Sequence, residues 1–360
     1  MKINSHCHIF SLDCVPEEFR ERFSLNFENP LDRIFFWLIE SILPEGSKPE
    51  EFLELADLTT LEIALRLIRE MDEVSIDLCT PLMMDMEFCN SFQAGEIKDF
   101  MEQLNDTEFA AETVNKKYGR TRMLPFIAVD PRRQNILDIL KDKIPADKGK
   151  RKVFWGVKFY PPMGYKPIGN DKPKLDKTLR EIYAYCQQNN IPTTTHCLNG
   201  GIPGLKQEDY ELANPKYWQE VLEEYPDLTL NLAHNDRTRP RWQRAIDDLI
   251  KISSSWQDKI EELIRTYKNV YTDVAFNTEM WYMPKDYFEN VKRLLEDEVT
   301  SKKLLYGTDW YMGRFLWTEE TYFKWFSEYS KRIPWCRVYF SNQELKRLIE
   351  DNPKRFLGLT

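Results

Sequence analysis

Two histidines, His6 and His8, stand in the opening stretch MKINSHCHIF, separated by a single cysteine. Side chains alternate faces along an extended strand, so this spacing turns both imidazoles to one side and Cys7 to the other. Two converging ring nitrogens suit zinc, iron, nickel or manganese, and neighbouring strands must supply the remaining ligands. The chain has four histidines in all. The other two, His196 in PTTTH and His234 in LNLAH, each close a run of strand character. Asp309 closes KLLYGTD, and Lys158 lies among apolar residues in VFWGVKFY. A lysine in such surroundings shifts its pKa downward and can serve as a nucleophile, a base or a carbamylated metal ligand. Each residue also has a plainer reading: a hydrogen-bonded core histidine, a helix-capping aspartate, a snorkelling lysine. What favours chemistry is that all of them fall at the same edge of one repeated pattern.

That pattern is an alternation of short apolar or β-branched runs with longer stretches of helical periodicity, the mark of repeated βα units. Strands are expected over Lys2–Cys7, Val74–Thr80, Arg122–Ala128, Val153–Phe159, Pro192–His196, Leu228–Ala233, Val270–Asp273 and Leu304–Gly307. Helical spacing runs over Thr60–Met71, Ile97–Tyr118, Arg133–Lys143, Leu175–Gln188, Pro215–Glu224, Pro240–Tyr267, Lys285–Glu296 and Glu319–Tyr329. Such a count fits an α/β chain folded as one (β/α)8 TIM barrel over residues 1–360, with catalytic groups at the C-terminal ends of the strands. The stretch Ser11–Leu58 is an insertion after the first strand, and in a barrel it would lie over the mouth. It serves either as a lid or subunit interface, or as a subdomain with its own small core.

The composition, 42% hydrophobic and 30% charged, is that of an ordinary globular chain. The longest uninterrupted apolar stretch, Ile34–Ile39, is far short of the roughly 20 residues a membrane span needs. The N-terminus lacks the apolar core of a signal peptide, so a cytoplasmic location is expected. Seven scattered cysteines with no C-x-x-C pair argue against a disulfide framework or a thiolate zinc site. A net charge of -9 gives no general footprint for nucleic acid or an anionic membrane. The partner expected is therefore a small molecule, with the apolar segment RIFFWLI a candidate homodimer surface.

In order along the chain, His6 and His8, Lys158, His196, His234 and Asp309 resemble the amidohydrolase superfamily of metal-dependent TIM-barrel enzymes. The tail NPKRFLGL is similar to that of the amidohydrolase-related branch, which includes hydrolases, lactonases and nonhydrolytic decarboxylases. The resemblance implies that His6, His8, His196 and Asp309 bind one divalent metal, zinc first and manganese or iron next. It implies that Asp309 takes the proton of the attacking water. His234 then either binds a second ion or polarises the substrate or the water. GVKFYPP is similar to the dihydroorotase motif whose lysine is carbamylated and bridges two metals, so one or two ions remain open. One departure is Asn4, where the superfamily commonly has an aspartate.

For the substrate, the fourth strand offers Lys158, and the loops after the strands offer Tyr160, Asn199, Arg237, Arg239, Trp310, Tyr311 and Arg314. The arginines suit a substrate carboxylate or phosphate, or they pair with surface acids. The expected activity is hydrolysis of an amide, lactone or ester of a small acidic molecule. The alternatives are a decarboxylase using the same site, and a barrel that binds without turnover.

Overall fold

The computed structural model describes residues 1–16, 55, 58–89, 97–198, 204, 207–235, 256–277, 279–315, 317–328 and 336–359. Eight parallel strands follow one another: β1 (Ile3–Cys7), β2 (Leu78–Pro81), β3 (Phe126–Val129), β4 (Gly156–Phe159), β5 (Thr193–His196), β6 (Leu230–Ala233), β7 (Val270–Asp273) and β8 (Leu304–Leu305). β1 pairs with β2, and β3 to β8 form one ordered sheet. Isolated bridges Cys79↔Met123 and Leu82↔Phe126 join β2 to β3. Ser5 N donates to Tyr306 O at 2.8 Å and Thr308 N to His6 O at 3.1 Å, so the last strand returns to the first. This is the expected TIM barrel.

The helices that cover it are α1 (Thr60–Glu73), α2 (Phe100–Tyr118), α3 (Ile136–Lys143), α4 (Pro173–Gln188), α5 (Pro215–Glu224), α6 (Trp256–Thr266), α7 (Pro284–Glu296) and α8 (Glu319–Ser327). Their starts are written locally. Thr59 with Glu62 and Asp99 with Glu102 form capping boxes, and Pro173, Pro215 and Pro284 open three helices where a missing N–H costs nothing. α1 turns Ile63, Leu67, Ile68 and Met71 into the core. Each such side chain contributes roughly 2 kcal/mol on burial.

The N-terminal end of the barrel is plugged by Ile3, Leu78, Phe126, Tyr271 and Leu305, with Phe356 and Leu357 of the tail packed beneath. Gly156 makes room for the plug, because a Cβ there would lie 2.5 Å from the Phe126 ring. The catalytic end is thus the open one.

β7 has the bounds expected, and the other seven strands are shorter than the sequence suggests, for local reasons. β2 starts late because Val74 and Ser75 finish the α1 turn, with Ser75 at φ 57. β8 stops at Leu305 because Tyr306 N donates to Leu348 O of the tail. Most of the expected insertion, residues 17–54, lies outside the described residues, as do RIFFWLI and the first part of the helix expected over Pro240–Tyr267.

Candidate metal centre

β1 carries a bulge between Asn4 and Cys7, which shifts its register against β2. Ile3 joins the barrel plug and Asn4 reaches α8, while beyond the bulge His6 and His8 face the mouth. Cys7 joins the apolar core outside, as its place between the two histidines predicts. Asp309 reaches the same point from the end of β8. Its Oδ1 lies 3.2 Å from His6 Nε2 and 3.0 Å from His8 Nε2. Two further features bring the strands together: Gly307, where a Cβ would lie 2.6 Å from the His6 Cβ, and a left-handed Asp309 at φ 56.

Three of the imidazoles are held by their other nitrogen. His6 Nδ1 lies 3.0 Å from Asp273 Oδ2, His8 Nδ1 2.7 Å from Leu82 O, and His234 Nδ1 3.0 Å from Ala275 O. Oxygens that accept only can be served only by Nδ1–H, which leaves the Nε2 lone pair of each ring directed inward. His6 Nε2 is buried and makes no hydrogen bond despite its closeness to Asp309. His6, His8 and Asp309 therefore offer two imidazole nitrogens and one carboxylate oxygen within 4.8 Å of one another. An orphaned ring nitrogen inside such a set fits a divalent cation, with the donor chemistry of zinc, manganese or iron.

The charges agree. Burial opposes ionisation of Asp309, but the closeness of His6 and His8 outweighs it and holds the carboxyl well below its usual range. Burial lowers His8, and burial together with the charge of His6 lowers His234 to about 4. Burial would lower His6 too, yet Asp273 outweighs it and the net shift is upward. Burial brings Lys158 down to about 8, against the pull of Asp309 and Asp273.

Asp273, at the end of β7, was not singled out from the sequence. Its Oδ1 accepts the backbone N–H groups of His234 (2.8 Å) and Ala275 (3.1 Å), and its Oδ2 accepts Asn231 Nδ2 at 2.6 Å besides His6. It also falls in a second triad with His6 and His234. A carboxylate with this many donors is a support for the imidazoles. Its signal was the aspartate that closes the strand run VYTD.

His196 belongs to neither triad. Its Nδ1 lies 3.1 Å from His234 Nε2, and its ring packs on Tyr160 with centroids 4.7 Å apart. His234 stands between, with ring centroids 4.8 Å from both His6 and His196. These groups open onto a cavity of about 230 Å3 lined by the four histidines, Lys158, Asp309, Tyr160, Met84, Leu198, Phe276 and Met312. A larger depression of about 430 Å3, lined by residues 131–138 and by Lys174, Thr178 and Glu181, includes none of the histidines. Converging donors make the smaller cavity the candidate site.

Lys158 and Tyr160 are thus where the sequence reading put them. Trp310 is not: the chain turns at Asp309, the indole is buried, and its Nε1 donates to Glu70 Oε2 on α1 at 3.0 Å. Tyr311 is likewise buried and donates to Phe10 O at 2.7 Å. Asn199, Arg237, Arg239 and the Arg314 side chain lie outside the described residues. The apolar lining from Met84, Leu198, Phe276 and Met312 carried no motif to find it by.

Fold and donors define a metal-dependent enzyme of the TIM-barrel class. The chain matches the amidohydrolase family model over residues 5–359 and belongs to that family, whose members are metal-dependent enzymes. No curated protein sequence matches it. Among solved structures it resembles an uncharacterised TIM-barrel protein from Bordetella bronchiseptica, at 16% identity and TM-score 0.56, covering 99% of this chain and 98% of that one. It also resembles a probable 2-pyrone-4,6-dicarboxylic acid hydrolase from Acinetobacter baumannii, at 16% identity and TM-score 0.55, covering 99% of each chain. A third is 2,6-dihydroxybenzoate decarboxylase from Rhizobium, at 14% identity and TM-score 0.54, covering 99% and 98%. At these identities the likeness concerns the fold.

Proposed function

We propose that this protein hydrolyses an amide, lactone or ester of a small acidic molecule with one divalent cation, zinc first, held by His6, His8 and Asp309. The observation that carries the reading is the approach of two imidazole Nε2 atoms to one Asp309 oxygen, at 3.2 and 3.0 Å, beside the cavity. A cation there would supply Lewis acidity and lower the pKa of a bound water towards neutrality. Asp309, ionised and at the cavity wall, accepts the proton of the attacking water and returns it to the leaving group. His234, neutral and with its Nδ1–H given to Ala275 O, presents an Nε2 lone pair that accepts a hydrogen bond from the attacking water and so polarises it. Lys158 pairs with a substrate carboxylate; among the described residues it is the lysine or arginine that lines the cavity.

A single ion is favoured because both oxygens of Asp273 are already occupied by four N–H donors. His196, expected from the sequence as a further ligand of this ion, falls in neither group of converging donors and meets His234 instead. Residence in the cytoplasm is part of this proposal, and the burial of all seven cysteines is compatible with it. In the described residues no helix is long and apolar enough to cross a membrane.

One observation favours a second reading. The apolar wall of Met84, Leu198, Phe276 and Met312 suits a flat unsaturated acid, and a decarboxylase would use it to keep water out. The test is to purify the protein, measure bound metal by elemental analysis, and assay lactones, esters and amides beside carbon dioxide release from aromatic and unsaturated acids. Hydrolysis that rises on adding zinc supports the first reading. Carbon dioxide release without hydrolysis supports the second. Neither bound metal nor turnover after zinc or manganese addition would sink both.

A further inference from the structure

Outside the barrel, where α8 begins, a second polar cluster meets the seam between β1 and β8. Glu319, the first residue of α8, is fully buried. Its carboxylate accepts Thr308 Oγ1 at 2.7 Å and Asn4 Nδ2 at 3.1 Å to both oxygens, with Tyr306 OH at 3.5 Å. Asn4 in turn accepts the His6 backbone N–H at 3.1 Å and donates to Thr308 Oγ1 at 2.8 Å. Thr308 precedes Asp309, and its hydroxyl accepts the Trp310 N–H at 3.3 Å. From the other side, Glu70 of α1 accepts the Trp310 indole at 3.0 Å and the Glu319 N–H at 3.1 Å.

We propose that Glu319 is a positioning residue for the metal triad: acting through Asn4 and Thr308, it sets the separation between the His6–His8 pair and Asp309. The inference rests on the metal-site reading above.

The physical argument is one of matched donors and constrained backbone. Asp309 holds a left-handed conformation that a non-glycine residue keeps only when its surroundings over-determine it. Its neighbours on both sides, Thr308 and Trp310, are tied to Glu319 and Glu70. Both oxygens of Glu319 face donors, a pattern a carboxylate satisfies and an amide does not. Asn4 is the complementary partner, since its amide donates to Glu319 with one end and accepts from His6 with the other. An aspartate at position 4 would aim an acceptor at Glu319 and add a third buried carboxylate beside Glu70. Burial and then the nearby Glu70 raise the Glu319 carboxyl, while Thr308, Asn4 and Tyr306 pull against them.

The test uses metal-stripped full-length protein above pH 8, where Glu319 is ionised, and reads the dissociation constant for Zn2+ by competition with a chromophoric chelator, with thermal unfolding recorded in parallel. Asn4→Asp and Glu319→Gln should each weaken Zn2+ binding by about tenfold. The double variant Asn4→Asp with Glu319→Gln exchanges donor and acceptor and should recover most of that loss. Thr308→Val, which keeps the side-chain shape, should also weaken binding and serves if Glu319→Gln folds poorly. Glu320→Gln, at an exposed ion pair with Lys324, should leave affinity unchanged. Parental affinity in Glu319→Gln or Thr308→Val, or a double variant no better than the singles combined, overturns the inference and leaves the metal reading standing. A parent that binds neither Zn2+ nor Mn2+ overturns both.

Discussion

The two sides of the cavity are built on different terms. On the side formed by β6, β7, β8 and β1, the rings of His6 and His234 and the carboxylate of Asp273 are fixed by neighbours at hydrogen-bond distance, and Asp309 sits where two imidazoles meet. On the β4–β5 side, Lys158 Nζ has no hydrogen-bond partner among the described residues, and its nearest recorded aromatic neighbour is the Tyr160 ring at 6.0 Å. Donors that must converge on a small ion tolerate little displacement, so their orientation is over-determined. A group that meets a substrate needs its hydrogen-bonding capacity left for that substrate. On the proposed reading, the contrast separates a side fit to hold a cation from a side fit to recognise a molecule.

The largest effect should follow from removing the shared carboxylate. Asp309→Ala takes away one ligand and the proton acceptor together. Turnover should fall by about 10^3 or more, the equivalent of several kcal/mol of transition-state stabilisation. Metal retained after dialysis, measured by elemental analysis, should fall with it, and a variant that keeps both would remove the site from this side altogether.

Lys158→Ala probes the opposite side. Losing one charge-assisted contact should lower kcat/KM by about tenfold to a hundredfold, mostly through KM, with metal content unchanged. If metal content falls in step with activity, the lysine is itself a ligand and the division between the two sides breaks down. If neither changes, Lys158 plays no part in the site.

Asp273→Asn is a finer test. The amide keeps the shape but presents N–H groups to at least one of the donors around it. Metal affinity should drop by about tenfold, with the substrate KM unaffected. A change confined to KM would move Asp273 to the recognition side.

The two sides also differed in how much of them could be read from the sequence. β1 and β8 were legible because histidines and an aspartate closing strands are rare enough to register one by one. Asp273 was in view as the last residue of an expected strand, but its role depends on donors from β1, β6 and the turn after β7, which no local window contains. Asn4 was noticed as a departure, and its meaning came only with Glu319, more than three hundred residues away. Trp310 was misjudged because the loop after the last strand was expected to face the mouth, whereas a positive φ at Asp309 turns the chain and the indole is buried against α1. The barrel itself was legible because its alternation is local and repeated. Its strand ends were not, since Tyr306 spends its N–H on the tail helix instead of the sheet.

The smallest effect concerns the buried carboxylate behind the metal-holding side, and its sign follows from linkage. Burial, reinforced by Glu70, raises the Glu319 carboxyl from the ordinary 4.5 to about 8 in the folded protein. Between those values the folded state holds a proton that the unfolded chain has released. The associated stability is therefore complete below about pH 4.5, declines as pH rises, and is lost above about pH 8. Its size is on the order of a few kcal/mol. Glutamine at this position does not titrate, so the Tm of metal-free Glu319→Gln relative to the parent should rise steadily between pH 5 and pH 8. Asp85, raised to about 6 mainly by burial against the pull of Arg133, works in the same direction over a lower window in both proteins. It cancels in the difference, which makes the difference curve the quantity to measure. A flat difference would mean that Glu319 is ionised throughout, held so by the donors of Thr308, Asn4 and Tyr306.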